Sequence, residues 1–176
     1  LPEQRPRLTN EEVMARCPWA TFGKLKHRGP NIVTSLELDP AEMEKRNIHL
    51  QQKYAEIEEK EVRYEEIHCD DAEYLIVAFG SCARIAQKAM EEARAEGIKV
   101  GLLRPITLWP FPSKAIAERS RQVKGILTVE LNAGQMVEDV RLAVECKVPV
   151  EYFGRLGGIV PDPDEVVTAL KEKIIK

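Results

Sequence analysis

From Asp70 onward the chain alternates short apolar runs with amphipathic stretches, and this alternation constrains the fold more than any other feature. The run Tyr74-Leu75-Ile76-Val77-Ala78-Phe79 is apolar throughout, the pattern of a strand covered on both faces. Ala83, Ala86, Ala89, Met90 and Ala93 then recur at helical spacing and predict a helix ended by Gly97. Residues 98–103 read as a second strand, and Ser113 as the cap of a helix running through Ile116 to Arg121. A third strand over 125–130 precedes a helix marked by Met136, Val140, Ala143 and Val144. A fourth strand spans 148–153, after which Asp162-Pro163-Asp164-Glu165 caps the final helix. This strand–helix order demands right-handed crossovers and a mostly parallel sheet with helices on both faces. The fold class is therefore α/β, a three-layer sandwich.

The first 70 residues have another texture. They carry 11 basic and 14 acidic residues against 15 and 15 in residues 71–176, so the whole net charge of −3 lies there. Thr9-Asn10-Glu11-Glu12 is a capping box that starts a short helix through Val13, Met14 and Cys17, stopped by Pro18. Residues 18–30 read as irregular and 31–38 as one extended segment. Asp39-Pro40-Ala41-Glu42 opens a second helix of roughly 25 residues, with Met43, Leu50, Tyr54, Ile57 and Tyr64 drawing one narrow apolar stripe. The expected organisation is an arm over 1–70, with a short helix and a long charged one, followed by an α/β domain over 71–176. The thin stripe suits either a plain surface helix or one that lies across a domain or neighbouring chain.

Charge and cysteine usage remove several functional classes. A net charge of −3 and a pI near 5.8 exclude a generally basic nucleic-acid binder. No apolar run approaches the ~18–20 residues of a membrane helix. Leu1-Pro2-Glu3-Gln4-Arg5-Pro6 offers neither a signal core nor an initiator Met, so the expectation is a soluble, cytoplasmic fragment or processed product. Cys17, Cys69, Cys82 and Cys146 form no CxxC pair, and His27, His49 and His68 are scattered. Free thiols and no resident metal are expected.

In an open parallel sheet, ligands and partners meet the loops beyond the carboxyl ends of the strands. Four such loops can be read. Gly80-Ser81-Cys82 offers helix N-terminal amides to an anion, or is simply a tight turn. Cys82 reads as a small buried residue. No GxGxxG or GxxxxGK[ST] occurs, so dinucleotide and P-loop readings fail. The second loop, Arg104-Pro105-Ile106-Thr107-Leu108-Trp109-Pro110-Phe111-Pro112, is stiff and apolar. It marks a contact with another chain or domain, or folds back on its own core. In the third loop Glu130, Asn132, Gly134 and Gln135 cluster, and Glu130 is expected to pair with Arg104 or Arg155 rather than act as a general base. In the fourth, Arg155 precedes Gly157-Gly158, which permit close backbone approach or unusual dihedrals. No triad, metal site or acid–base pair is recognisable.

These same runs, Ala78-Phe79-Gly80-Ser81, the stretch from Gly101 to Pro112, Glu130-Leu131-Asn132-Ala133-Gly134-Gln135-Met136 and Gly154-Arg155-Leu156-Gly157-Gly158, carry a family resemblance. They resemble the carboxyl-terminal part of the alpha subunit of 2-oxoacid:ferredoxin oxidoreductases, of the 2-oxoglutarate or 2-oxoisovalerate type. The resemblance implies a transketolase C-terminal-like domain with five strands, the first antiparallel to the rest. Residues 31–35 or 62–67 are the candidates for that strand.

For the complete enzyme the resemblance implies thiamine diphosphate, Mg2+, an iron–sulfur cluster and coenzyme A, none held by this chain. It also implies oxidative decarboxylation of a 2-oxoacid to an acyl-coenzyme A with reduction of ferredoxin. The implied partners are the remainder of the alpha subunit, the beta and gamma subunits and ferredoxin, without nucleic acid or membrane. No catalytic residue is carried over. Gly80, Ser81, Arg104, Pro105, Pro110, Phe111, Glu130, Asn132, Gly134, Gln135, Arg155, Gly157 and Gly158 match the family's motifs, and with Trp109 they are assigned interface or loop-organising roles. The alternatives are a stand-alone domain gripping an anion through Arg104 or Arg155, and a protein-interaction module.

Overall fold

Two sets of alternating side chains build the sheet. Ile76 and Ala78 of strand β2 (Tyr74–Ala78) join one core cluster, whereas Leu75 and Val77 join the other. The same period of two sends Val100 and Leu102 of β3 (Val100–Pro105) to the first cluster and Leu103 to the second. In β4 (Ile126–Glu130), Leu127 and Val129 face the first and Ile126 the second. Each fully buried Leu, Ile or Val contributes roughly 1.5–3 kcal/mol. The computed structural model describes residues 7–19 and 35–175 and divides the chain into two compact units, Leu1–Ile48 and His49–Lys176.

In the first unit, α1 (Asn10–Arg16) has the expected capping box: Glu12 donates its N–H to Thr9 Oγ1 (3.3 Å), and Thr9 donates its own to Glu12 Oε2 (2.8 Å). Helix α2 (Pro40–Lys60) starts where Asp39 Oδ1 accepts from Ala41 and Glu42 (2.8 and 3.2 Å). It is shorter than expected and carries the apolar stripe only to Ile57. Tyr64 belongs instead to β1 (Tyr64–Ile67), because three non-helical residues follow Lys60. Most of the residues read as irregular, and 31–34 of the extended segment, lie outside the described residues; 35–38 form neither helix nor strand.

The sheet order is β1-β3-β2-β4-β5, with β5 spanning Val150–Gly154. Every neighbouring pair is parallel except β1–β3, which runs antiparallel from Tyr64 opposite Pro105 to Ile67 opposite Leu102. The fifth strand therefore comes from the 62–67 candidate. It lies before Asp70, so the sheet recruits residues from ahead of the change in texture. Arg119 explains how so acidic a strand is held: its guanidinium reaches Glu66 through Nε (3.0 Å) and Nη2 (2.6 Å), and Asp70 (3.1 Å).

Helices α3 (Gly80–Ala95) and α6 (Pro163–Leu170) pack on the first cluster, and α4 (Ser113–Arg119) and α5 (Met136–Val144) line the second. Helix α3 ends in a Schellman arrangement, Gly97 N–H to Arg94 O and Ile98 N–H to Ala93 O, both 3.0 Å. The cap of α4 is Pro112 rather than Ser113, which is the first helical residue. Strands β3, β4 and β5 begin one or two residues later than expected, β2 ends one residue earlier, and a π-helical turn, Lys171–Ile175, follows α6.

Candidate functional site

The ladder registers bring the carboxyl ends of the four parallel strands to one edge: Val77 lies beside Leu103, Ala78 beside Val129 and Glu130 beside Gly154. Because β1 is antiparallel, it delivers its first residue, Tyr64, to that edge beside Pro105. Strands β2 and β4 are neighbours, yet α3 leaves to one face of the sheet and α5 to the other. This is a topological switch point, where the loops at Gly80-Ser81 and Glu130–Gln135 part.

Glu130 is fully buried and works as the cap of α5. Its Oε2 accepts N–H from Gln135 (3.2 Å) and Met136 (2.8 Å), and its Oε1 from Val137 (3.0 Å). A carboxylate at this position also complements the positive end of the helix dipole. The expected pairing of Glu130 with an arginine is not what forms. Arg104 Nη1 lies 3.1 Å from Glu65 on β1, and Arg155 Nη1 lies 3.2 Å from Glu165 on α6. The amides of α5 satisfy the buried carboxylate more closely than a half-exposed guanidinium would, because they are fixed beside it by the turn.

That turn is held from a second direction. Gly134 donates its N–H to Asn132 Oδ1 (2.7 Å), and the hydroxyl of Tyr152 donates to the Asn132 carbonyl. Burial pushes the Tyr152 hydroxyl pKa up, with the charge of Glu130 adding to it. Gly154 makes room for this contact: a Cβ there would collide with the Tyr152 ring and hydroxyl and lie 2.8 Å from the Asn132 carbonyl. Tyr152 and Gly154 thus organise the loop, and neither was legible as doing so. The only sequence signal is their separation by one residue, which puts both on the same face of β5.

The Gly80-Ser81 element is a tight strand–helix turn, with Gly80 at φ +56° immediately after Phe79. Cys82 is buried, and burial together with the charge of Glu130 raises its thiol pKa, the opposite of an activated nucleophile. Cys17, Cys69, Cys82 and Cys146 are all free thiols. Gly157 (φ +65°) and Gly158 (φ +84°) both adopt left-handed backbone, and a Cβ at either would meet nothing within 4 Å. Their requirement is conformational rather than one of close approach.

The Arg104–Pro112 loop folds partly back on its own core and leaves the rest of its apolar surface exposed. Pro110 and Pro112 are buried and Phe111 packs against the core, whereas Ile106, Leu108 and Trp109 are exposed. Thr107 anchors it: its Oγ1 accepts from Arg63 N (3.0 Å) and donates to Pro110 O (2.8 Å), while Arg63 O accepts from Ile106 N (2.9 Å). Trp109 meets Tyr54 edge-on, with ring centroids 5.8 Å apart. On the far side of the same edge, Leu131, Leu156, Ile159 and Val160 are exposed.

The described residues do not fit a bound Mg2+ or iron–sulfur cluster, since no three of His, Cys, Asp and Glu converge. The buried carboxylate, Glu130, is already saturated by three amides. No chemical step is therefore assigned to a cofactor here.

Comparison with known proteins agrees with this architecture. A ketoisovalerate oxidoreductase subunit VorB from Methanothermobacter thermautotrophicus is 49% identical over 165 residues, covering 92% of this chain and 46% of that protein. A solved 2-oxoglutarate:ferredoxin oxidoreductase from Magnetococcus marinus, with 2-oxoglutarate, coenzyme A and succinyl-CoA bound, superposes with a TM-score of 0.67. It is 25% identical, and the match covers 77% of this chain and 24% of that one. A split-gene transketolase, an inactive beta4 tetramer, shares the fold at a TM-score of 0.55 and 22% identity, over 62% of this chain and 40% of that one. The chain thus spans about half the length of the curated VorB relative or less. Residues 72–166 match the family described as pyruvate:ferredoxin oxidoreductase core domain II, and the chain belongs to that family.

Proposed function

We propose that this chain is a non-catalytic assembly domain of a thiamine-diphosphate-dependent 2-oxoacid:ferredoxin oxidoreductase, and that it docks through its carboxyl edge. In the assembled enzyme a 2-oxoacid is decarboxylated oxidatively to an acyl-coenzyme A, with electrons passing through an iron–sulfur cluster to ferredoxin. Thiamine diphosphate, Mg2+, the cluster and coenzyme A are held by the remainder of the alpha subunit and by the beta and gamma subunits. The cytoplasm is the proposed location, and no helix among the described residues is long and apolar enough to cross a membrane.

The observation that carries the reading is the apolar surface on that edge. Ile106, Leu108 and Trp109 on one loop and Leu131, Leu156, Ile159 and Val160 on two others stay exposed where the strands end. A group of this kind, on loops anchored to a rigid sheet, is the composition of an interface core. The anion-gripping alternative is less favoured, because Arg104 and Arg155 are already engaged by Glu65 and Glu165.

The direct test is isothermal titration of the chain with thiamine diphosphate and Mg2+. No micromolar binding is expected, and micromolar binding would overturn the reading. Co-purification with the remaining subunits should be weakened by Trp109→Ala and Leu156→Ala without loss of the chain's own folding.

A further inference from the structure

The two edges of the sheet are protected in different ways. β1 is four residues long and carries Glu65 and Glu66, a short charged edge that discourages pairing. β5 reads Val150-Glu151-Tyr152-Phe153-Gly154, rich in β-branched and aromatic residues and well suited to accept a neighbouring strand.

The ladder fixes which of its backbone groups face outward. Ile126 donates its N–H to the Pro149 carbonyl (2.9 Å), and Arg155 donates to the Glu130 carbonyl (3.3 Å). In a parallel pair this turns the backbone groups of 149, 151, 153 and 155 towards β4 and those of Val150, Tyr152 and Gly154 away from it. Two of the outward carbonyls are occupied by cations. Lys173 Nζ donates to Tyr152 O at 2.7 Å, and Arg141 Nη2 donates to Val150 O at 3.3 Å. The donors come from opposite layers, Arg141 from α5 and Lys173 from the π-helical turn after α6. That turn is seated against the sheet, since a Cβ at Gly125 would lie 2.6 Å from Ile174 Cγ2.

We propose that Arg141 and Lys173 together close the outer edge of β5 to strand addition, and that the partner they exclude is a second copy of the same edge. Two β5 strands meeting antiparallel about a twofold axis at Tyr152 set Val150 opposite Gly154 and Glu151 opposite Phe153. No like charges then face each other, so the pairing has no electrostatic barrier of its own. The side-chain caps supply the barrier: an incoming strand must displace both cations from carbonyls it would otherwise use. This inference is independent of the assembly reading, which concerns a different edge.

The experiment compares the full chain with the double variant Arg141→Met, Lys173→Met, which keeps apolar stems and removes the donors. Sedimentation velocity over a concentration series should show self-association stronger than wild type by about tenfold or more. Hydrogen exchange should show new protection at the amides of Tyr152 and Gly154. A folded double variant that sediments as wild type overturns the proposal, and so does association that leaves those two amides unprotected. If the double variant does not fold, Lys173→Met alone is read by the same two measurements. Lys173→Arg, which retains a donor, is expected to behave as wild type, and association by that variant also counts against the proposal.

Discussion

Glu130, the last residue of β4, holds the N–H of Met136 at 2.8 Å across the turn that leads into α5. The same carboxylate takes Gln135 and Val137, so one buried side chain satisfies three amides that the helix itself cannot pair. Hydrogen bonds to a charged group are worth roughly 1.5–3 kcal/mol each. Glu130→Ala is therefore expected to cost about 3 kcal/mol or more of unfolding free energy. Glu130→Gln should cost less, since it keeps an acceptor. Urea unfolding measures both, and an unchanged midpoint for Glu130→Ala would remove the residue from this role.

Gly154→Ala places a methyl group against the Tyr152 ring and hydroxyl. Overpacking of this kind costs about 1–3 kcal/mol. Tyr152→Phe removes the atom nearest to the new methyl and, alone, should cost about 1 kcal/mol for the lost hydrogen bond to Asn132. The double variant should be more stable than the sum of the single losses predicts. A double-mutant cycle that closes to zero would mean that the two residues do not meet as described.

Acid should loosen the sheet at its amino-terminal end. Both carboxylate oxygens of Asp71 accept from Arg94 Nη2 at 2.6 Å, and this hydrogen bonding, with the guanidinium charge, holds its pKa below the ordinary 3.8. Glu73 is held below 4.5 by Lys124 in the same way. A carboxyl group with a lowered folded pKa contributes stability above its unfolded value and loses it as pH falls through the folded one. Asp71→Asn should thus be less stable than wild type near neutrality, and the gap should shrink as pH drops below about 4. Thermal melts at a series of pH values check this, and a gap that persists at low pH contradicts it.

The thiols should separate by reactivity. Cys146 is exposed, whereas Cys69 and Cys82 are buried. Burial, reinforced by the charge of Glu66, pushes Cys69 from 9.0 up to about 11. A disulfide reagent at mildly alkaline pH should modify Cys146 quickly and reach Cys69 and Cys82 only at the rate of opening. The raised pKa also has a stability consequence with a definite sign. The folded chain keeps the Cys69 proton where the unfolded chain has lost it, so stability falls as pH rises from 9.0 towards 11. Rapid modification of Cys69 in the native chain would refute this.

Apolar periodicity made the four parallel strands and their helices legible, because Leu75, Ile76, Val77 and Leu127 must be buried whatever the topology. β1 was harder to locate. The two carboxylates of its Tyr64-Glu65-Glu66-Ile67 sequence are met by Arg104 and Arg119 from other elements, a long-range condition that local pattern does not carry. The edge loops were legible as a group, since strand direction alone gathers them. The partners within them were not. A buried carboxylate at a strand end can be read for an ion pair or a helix cap, and only the tightness of the turn at Asn132 decides for the cap. The contact between Tyr152 and Asn132 joins β5 to the loop after β4 and leaves no local trace.

Helix α3 presents Ala83, Ala86, Ala89 and Ala93 to the core cluster that it shares with Ile76 and Leu102. Their methyl groups, with Cys82 and Met90 as the larger members of the same buried face, let the helix pack closely on the strands. A larger side chain at the fully buried Ala86 would overpack the contact and force helix and strands apart. The first turn of that same helix carries Gly80 and Ser81 at the switch point. The seat of that loop thus rests in part on methyl groups further along the helix.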